Sequence, residues 1–264
     1  SPDYSEVAKL TDLWLNPKQG TDAALAQAFN HVIFKEFHLE KPSAYFTDYV
    51  RRYTDLPMLV LLEDAEHGYK PTRFLRASDL DNKLNQDNNP EWKTVAVDGP
   101  TGELVSPLGS IGYRWGESGK WNIEAREGGE GRDVELQLSQ IENGEAVEVA
   151  FPYFGGQLHD HFQHAEGDEI QYRRVPSRVL PLADGRTLRV ATVFDIQAAG
   201  LGIDRGLGGT NVASSYDDAS VPGTPAWQEQ ITGVSREKVI QVAREFADTA
   251  DKTRGRSMII SVRR

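Results

Sequence analysis

The pattern of apolar positions in the first quarter of the chain alternates between helical and strand-like periods. Apolar residues recur every three or four positions over residues 21–38 and again over 42–53, so both segments are predicted helices. The stripe of the longer helix consists of Leu25, Ala28, Phe29, Val32 and Phe37. Residues 4–12 and 13–15 predict a short helix and a short strand. The continuous apolar run 58–62 predicts a buried strand.

From Glu63 onward the pattern changes to short strand-like pieces separated by turn-forming clusters. The clearest pair is 178–182 and 187–194, which predicts a hairpin because the intervening Asp184-Gly185 pair suits a tight turn. Further strand-like pieces lie at 94–97, 134–138 and 147–151. This stretch is therefore predicted to be rich in β-structure and loops.

Helical periodicity returns near the end of the chain. Ser235 is placed to cap a helix that runs to about residue 250, and Gly255 is placed to close it. The predicted inward positions are Val239, Ala243, Phe246 and Ala250. The apolar run 257–262 then predicts a parallel strand that follows its crossover helix.

Together these elements predict an α/β fold, a partial Rossmann-like parallel-sheet domain interrupted by a β-rich and loop-rich insertion. The expected division is 1–63 for the first part of a cofactor-binding α/β domain, 64–222 for the insertion, and 223–264 for the returning helix and strand. The chain opens where a first strand should already have ended and stops just after an apolar run. We therefore expect it to be a segment of a longer polypeptide.

Composition narrows the range of partners. The chain has 264 residues and a formal net charge of −11, which argues against nucleic acid or an anionic membrane as a general partner. No window approaches the roughly 18 consecutive apolar residues of a spanning helix. Because the chain has no cysteine, it can supply neither a thiolate zinc site nor the ligands of a cysteinyl iron–sulfur cluster.

The segment around Gly20, Thr21 and Asp22 is the strongest candidate for ligand chemistry. A glycine turn opens an apolar-striped helix, Thr21 can cap it by accepting from the amide of Ala24, and the positive helix end then faces a ligand over Gly20. The Asp22 carboxylate can accept two parallel N–H bonds from guanine but not from adenine. The alternative is an ordinary capping and dipole role for Asp22.

Other candidate sites have simpler explanations. His159, His161 and His164 beside Asp160 could chelate a metal in an extended segment, but we expect a solvated cluster and assign no metal ligand. Arg51 and Arg52 resemble an anion clamp, but we expect surface ion pairs. The glycine-rich run 200–209 fits no phosphate-loop pattern, so a flexible connection or close packing is expected. Four tryptophans are expected to be packing anchors: Trp92, Trp115, Trp121 and Trp227.

Several long sequence segments resemble those of one protein family. The chain resembles the catalytic (alpha) subunit of membrane-associated respiratory nitrate reductases, within the dimethyl sulfoxide reductase family of molybdopterin oxidoreductases. The strings are S-P-D-Y-S-E-V-A-K-L-T-D-L-W-L (1–15), P-K-Q-G-T-D-A-A (17–24), E-F-H-L-E-K-P-S-A-Y-F-T-D-Y-V-R-R-Y-T-D-L-P-M-L-V (36–60), N-N-P-E-W-K-T-V-A (88–96), G-S-I-G-Y-R-W-G-E (109–117) and T-P-A-W-Q-E-Q-I-T-G-V-S (224–235). The resemblance runs almost from end to end.

The resemblance implies a cofactor-positioning role. In the family, two turns hold a guanosine end of a molybdenum-bis(molybdopterin guanine dinucleotide) cofactor. The implied residues are Pro2, Asp3, Tyr4, Lys18, Gly20, Thr21 and Asp22. The molybdenum-ligating Asp and a 4Fe-4S cluster lie in upstream segments that do not match this chain, so no catalytic residue is expected here.

The implied parent reaction is reduction of nitrate to nitrite by oxygen-atom transfer. The implied partners are the rest of the catalytic subunit, an iron–sulfur beta subunit and a membrane haem gamma subunit, which would hold the protein at the cytoplasmic face of a membrane. The isolated segment is expected to be inactive. Two alternatives stay open: a catalytic-subunit segment of a related molybdenum reductase acting on another oxyanion or oxide, and a non-enzymatic nucleotide-binding or assembly module.

Overall fold

The computed structural model describes residues 8–86, 88–108, 124–127, 132–151 and 170–259, and these residues form an α/β fold. The α-helices are α1 (Asp22–Ile33), α2 (Ala44–Tyr53), α3 (Val193–Gly200), α4 (Pro225–Thr232) and α5 (Arg236–Thr253). A π-helix, Phe34–Glu40, continues α1. Short 3-10 helices lie at Ala8–Leu10, Ala77–Asp79, Lys83–Asn85 and Pro90–Trp92. The strands are β1 (Leu59–Asp64), β2 (Tyr69–Phe74), β3 (Ala96–Val97), β4 (Leu104–Val105), β5 (Pro107–Leu108), β6 (Glu124–Glu127), β7 (Glu145–Phe151), β8 (Gln171–Pro181) and β9 (Thr187–Thr192).

Five strands close into a barrel with the order β1-β2-β7-β8-β9. The pairing of β2 with β7 is parallel, through Tyr69 and Val149, and the other ladders of the barrel are antiparallel. The sheet is thus mixed, and the predicted α/β class is confirmed. The predicted strand 58–62 is confirmed as β1, but both of its neighbours run antiparallel to it. In the described residues the Rossmann-like expectation of a parallel sheet is met only between β2 and β7.

The predicted hairpin is confirmed as β8 and β9. Gly185 in its turn has a φ of +85°, a backbone conformation that glycine adopts without steric cost. The amide of Leu182 donates to the carbonyl of Arg186, and the Asp184 carboxylate accepts from the amide of Arg186. β8 begins seven residues before the predicted start, because it pairs along its whole first half with β7.

Two buried clusters include apolar residues of the barrel strands. The larger one consists of Leu59, Leu61, Leu75, Leu80, Val95, Val97, Leu180, Leu182 and Val190. The second consists of Leu62, Val147, Val149, Val175, Ala191 and Ala199. Strands from the predicted first part and from the predicted insertion contribute to the same core. The three-part division of the chain stays a prediction.

A helical layer is built from α1, α4 and α5. Its core is formed by Ala28, Val234 and Val239, against which Leu15, Leu25 and Phe29 pack. The predicted helix over 21–38 is confirmed as α1 with its π-helical continuation, and the predicted helix over 42–53 is confirmed as α2. The predicted terminal helix is confirmed as α5, although the Ser235 side chain makes no capping hydrogen bond.

Three predicted elements are wrong where the structure describes them. Residues 13–15 form no strand, because Leu15 packs into the helical core instead of a sheet. Residues 134–138 form a single bridge between Leu136 and Asp98, since the amide of Glu135 donates to the Asp98 carboxylate and not to a strand. Residues 257–259 are not in a strand, and 260–264 lie outside the described residues.

The predicted helix over 4–12 is also shorter than expected. Within its described part it is the single 3-10 turn Ala8–Leu10, and the Thr11 hydroxyl donates to the Ala8 carbonyl at 2.9 Å. This side-chain bond competes with continuation of the helix.

Candidate functional site

The turn before α1 is held in shape by Thr21. The Thr21 hydroxyl donates to the carbonyl of Lys18 at 2.6 Å, and the Thr21 amide donates to the same carbonyl at 3.3 Å. Gly20 between them has a φ of +78°, and no atom of a more distant described residue lies within 4 Å of the position that a Cβ would occupy there. Hydrogen bonds from Thr21 therefore close the turn on its buried side, and the space next to Gly20 is open.

The predicted side-chain cap is wrong. The amide of Ala24 donates to the backbone carbonyl of Thr21 at 3.1 Å, and the Thr21 hydroxyl acts as a donor toward Lys18. Among the described residues, no acceptor binds the amides of Asp22 and Ala23. The first turn of α1 thus keeps two outward-facing donors at the positive end of the helix.

Three predicted site residues share the exposed side of this turn. Lys18, Gly20 and Asp22 are all exposed, whereas Thr21 is buried beneath them. Within the part of the chain that the structure describes, neither the Lys18 ammonium nor the Asp22 carboxylate forms an ion pair. A cation with free backbone amides suits a phosphate, and a carboxylate suits the guanine edge. The exposed side of the turn thus combines a cation and hydrogen-bond donors that suit a phosphate with an acceptor that suits a base edge.

The turn is anchored from behind by the end of α4. The amide of Lys18 donates to the carbonyl of Thr232 at 2.9 Å. The Thr232 hydroxyl donates to the side-chain oxygen of Gln228 at 2.7 Å, and the Gln228 amide group donates to the carbonyl of Val234 at 2.8 Å. Sequence analysis missed these residues. The available signal was a glutamine and a threonine four positions apart before Gly233, a spacing that places both on one helix face.

The helix behind the turn, with its π-helical continuation, carries buried or half-buried ionisable groups that include His31 and Glu36. Burial lowers the pKa of His31 to about 4, and its Nδ1–H donates to the carbonyl of Leu201 at 2.7 Å. Burial alone would raise the pKa of Glu36, but hydrogen bonds from Arg244 and Tyr216 hold that pKa below its ordinary value. These contacts join α1 and its π-helical continuation to α5 and to the end of α3.

Several other sequence candidates lie outside the described residues. These are Pro2, Asp3 and Tyr4 of the implied cofactor turn, the histidines His159, His161 and His164, and the tryptophans Trp115 and Trp121. In the ranges that the structure covers, no three His, Asp or Glu side chains lie together as a metal-binding group. None of the helices in those ranges is long and apolar enough to cross a bilayer.

The remaining candidates have structural roles. Arg51 pairs with Glu135 at 2.9 Å and Arg52 with Asp48 at 2.6 Å, which confirms the expected surface ion pairs. In the 200–209 run, a Cβ at Gly202 would lie 2.7 Å from Val221, so this glycine permits close packing.

Of the four tryptophans predicted to be packing anchors, two lie in the described residues, and only one of them is buried. Trp227 is buried, as predicted, with 9% of its surface exposed. The prediction for Trp92 is wrong, because this side chain is 81% exposed. It lies on a short 3-10 helix outside the barrel core, where local turn geometry and not packing sets its position.

The fold and this turn define an α/β protein that presents a helix N-terminus, a lysine and a carboxylate together on one exposed loop. No protein-family model matches the chain. It is 58% identical over 261 residues to the respiratory nitrate reductase 1 alpha chain of Escherichia coli (strain K12), a match covering 98% of this chain and 21% of that protein. Over nearly its whole length, the chain is thus similar to one segment of respiratory nitrate reductase alpha chains.

Other relatives extend the comparison. The respiratory nitrate reductase alpha chain of Bradyrhizobium sp is 46% identical over 98% of this chain and 24% of its own length. The perchlorate reductase subunit alpha of Dechloromonas aromatica (strain RCB) is 27% identical over 94% of this chain and 20% of its own length. The chain spans about a fifth of the length of the curated relatives it matches.

Proposed function

We propose that this chain is a segment of the catalytic subunit of a molybdenum-dependent respiratory nitrate reductase, which reduces nitrate to nitrite by oxygen-atom transfer. The segment carries the surface that binds the nucleotide end of the cofactor, here called the shelf. The observation that carries the proposal is the open Lys18–Asp22 turn, which occurs in a chain 58% identical to a respiratory nitrate reductase alpha chain over 98% of its length. Residues 1–63 and 223–264 contribute the shelf, and 64–222 form the insertion.

The cofactor that fits this shelf is molybdenum-bis(molybdopterin guanine dinucleotide). When bound, that group supplies the metal centre at which the oxygen atom is transferred. The residues of this chain bind and orient its nucleotide end. Lys18 and the free amides of Asp22 and Ala23 offset phosphate charge, and Gly20 allows the ligand to approach the backbone closely. Pro2, Asp3 and Tyr4 are further proposed contacts.

Asp22 gives the shelf its choice of base. Its carboxylate can accept from guanine N1–H and from the 2-amino group at once, and adenine presents no matching pair of donors on its Watson–Crick edge. The exposed position of Asp22 leaves both oxygens available to a ligand. We therefore propose that guanine is preferred over adenine.

The remaining parts of the reaction lie outside this chain. We propose that a 4Fe-4S cluster and the molybdenum-ligating Asp come from other parts of the catalytic subunit. Electrons then arrive through an iron–sulfur beta subunit and a membrane haem gamma subunit, and these partners hold the complex at the cytoplasmic face of the membrane. The segment alone is expected to be inactive, since a shelf without a closed pocket leaves most of the cofactor exposed.

A second candidate is the catalytic subunit of a related molybdenum reductase that acts on another oxyanion. The 27% identity to a perchlorate reductase subunit alpha over 94% of this chain supports this second candidate. The shelf contacts the nucleotide end of the cofactor and not the oxyanion, so the same turn would serve either substrate. The higher identity to nitrate reductase alpha chains makes nitrate the first proposal.

The shelf can be tested by measuring the guanine nucleotide that is released per molecule of the full natural polypeptide that carries this segment. Asp22→Asn replaces one acceptor oxygen by an N–H donor that faces a guanine donor, which costs about 1 to 3 kcal/mol in a desolvated site. We expect the guanine nucleotide released per polypeptide to fall severalfold.

The matched control is Glu237→Gln, which neutralises an exposed carboxylate in the first turn of a different helix, α5. This variant should keep the wild-type guanine content. Wild-type guanine content in the Asp22→Asn protein, or release of adenine in place of guanine from the unaltered protein, would contradict the assignment of the shelf.

A further inference from the structure

The end of α4 carries a buried polar pair in which each polar side-chain atom has a hydrogen-bond partner. The side chains of Gln228 and Thr232 are 0% and 1% exposed. The Thr232 hydroxyl donates to Gln228 at 2.7 Å and accepts from the amide of Val234 at 3.0 Å, while the Gln228 amide group donates to the Val234 carbonyl at 2.8 Å. Both the amide and the carbonyl of Val234, in the connection from α4 to α5, are therefore held by these two side chains.

Ending the helix does not require this pair. Gly233 has a φ of +75°, and its amide donates to the Glu229 carbonyl at 2.9 Å, which is sufficient to close a helix C-terminus. Burying two further polar side chains costs free energy that well-packed apolar residues would avoid. What the pair adds is a fixed orientation of the peptide groups around Thr232.

One of these peptide groups, that of Thr232, contacts the candidate site. The Thr232 carbonyl accepts from the amide of Lys18, and the Lys18 carbonyl accepts in turn from the hydroxyl and amide of Thr21. A continuous hydrogen-bonded path thus runs from the buried Gln228 side chain to the residue under Gly20. The aliphatic part of Lys18 also lies beside Gly233, with Lys18 Cε 3.7 Å from the position of a Cβ at that glycine.

We propose that Gln228 and Thr232 are positioning residues that hold the Lys18–Asp22 turn in the geometry that binds the guanine nucleotide. The inference rests on the proposed function of this turn. Neither residue touches the ligand. Each acts through the Thr232 carbonyl, which fixes the Lys18 amide and with it the placement of the Lys18 cation and the two free amides of α1.

The test compares three variants in the full natural polypeptide. Thr232→Val removes the hydroxyl at nearly constant volume, and Thr232→Ser restores it. The matched control is Thr192→Val, because Thr192 is also 0% exposed and its hydroxyl accepts a helix-capping hydrogen bond, from Asp195 at the start of α3 on the barrel side. Hydrogen–deuterium exchange of the peptide containing Lys18 and the guanine nucleotide released per polypeptide are both measured.

Thr232→Val removes both hydrogen bonds of the hydroxyl. We expect it to speed exchange of the Lys18 amide and to lower the guanine content by about threefold to tenfold, which corresponds to the loss of about one buried hydrogen bond at the turn itself. Thr232→Ser should return both readings toward wild type. Thr192→Val should destabilise the protein and leave both readings at wild-type levels.

The outcomes separate the two proposals. Unchanged Lys18 exchange in Thr232→Val overturns the inference, whatever the nucleotide content. Faster exchange with unchanged guanine content, in a protein whose guanine content falls with Asp22→Asn, also overturns the inference and leaves the shelf intact. Guanine content that is insensitive to Asp22→Asn overturns the proposed function, and the positioning role with it.

Discussion

Replacing His31 by Asn should remove part of the acid sensitivity of this protein. His31 lies in α1, is 1% exposed, and donates from Nδ1 to the carbonyl of Leu201. Its pKa is lowered to about 4, first by burial and then by the nearby charges of Lys35 and Arg173, against the opposing effect of the Leu201 hydrogen bond. An Asn side chain can donate to the same carbonyl but does not titrate.

The magnitude follows from the difference between the two pKa values of His31. In the unfolded chain the group titrates near 6.5, and in the folded protein near 4. Above pH 6.5 both states are neutral and the full stability is present. As the pH falls below 6.5 the unfolded chain binds a proton that the folded protein does not. Each pH unit therefore costs about 1.4 kcal/mol, to a total of about 3 kcal/mol near pH 4.

The assay is urea unfolding of wild type and His31→Asn at intervals between pH 7.5 and pH 5. Asn is smaller than His, so the variant should be less stable at pH 7.5. That deficit should shrink by about 2 kcal/mol as the pH falls to 5. The burial-lowered pKa of His38, also about 4, adds a similar slope to both proteins and cancels in the comparison. A deficit that stays constant across this range would refute the reasoning.

The remaining predictions concern stability and use urea unfolding at pH 7. Arg205→Met should cost about 3 to 5 kcal/mol, because it leaves the fully buried Asp195 carboxylate without its cationic partner at 2.6 Å, and adding Asp195→Asn should recover part of the loss. No recovery in the double variant would show that the charge is not the cause. Trp227→Ala should cost about 3 to 5 kcal/mol, whereas Trp92→Ala should change stability by less than about 0.5 kcal/mol, since one ring is 9% and the other 81% exposed. Equal losses would contradict the burial argument.

Local patterns predicted the elements whose conformation follows from the periodicity or turn chemistry of adjacent residues. The apolar stripes over 21–38 and 42–53 and at the end of the chain correspond to α1 with its π-helical continuation, to α2 and to α5. The Asp184-Gly185 pair predicted the β8–β9 turn, because a positive φ at glycine is a local property. The same logic failed at residues 13–15, where the Leu15 side chain packs against the helical layer. It also failed at residues 134–138, where the Glu135 amide donates to the Asp98 carboxylate.

The same distinction between local and long-range information applies to the candidate site. The sequence by itself determined which chemistry is available on the turn, a lysine, a glycine and a carboxylate before an amphipathic helix, because those groups are adjacent in the chain. Only the tertiary structure decided that Thr21 faces inward as a donor and that Thr232 holds the Lys18 amide. The contact between Thr232 and Lys18 joins residues more than 200 positions apart, and so does the Glu36–Arg244 ion pair that supports the π-helical continuation of α1. The His31–Leu201 hydrogen bond joins residues 170 positions apart. Barrel closure and long-range anchoring depend on which surfaces pack together, and a local pattern carries no information about the partner.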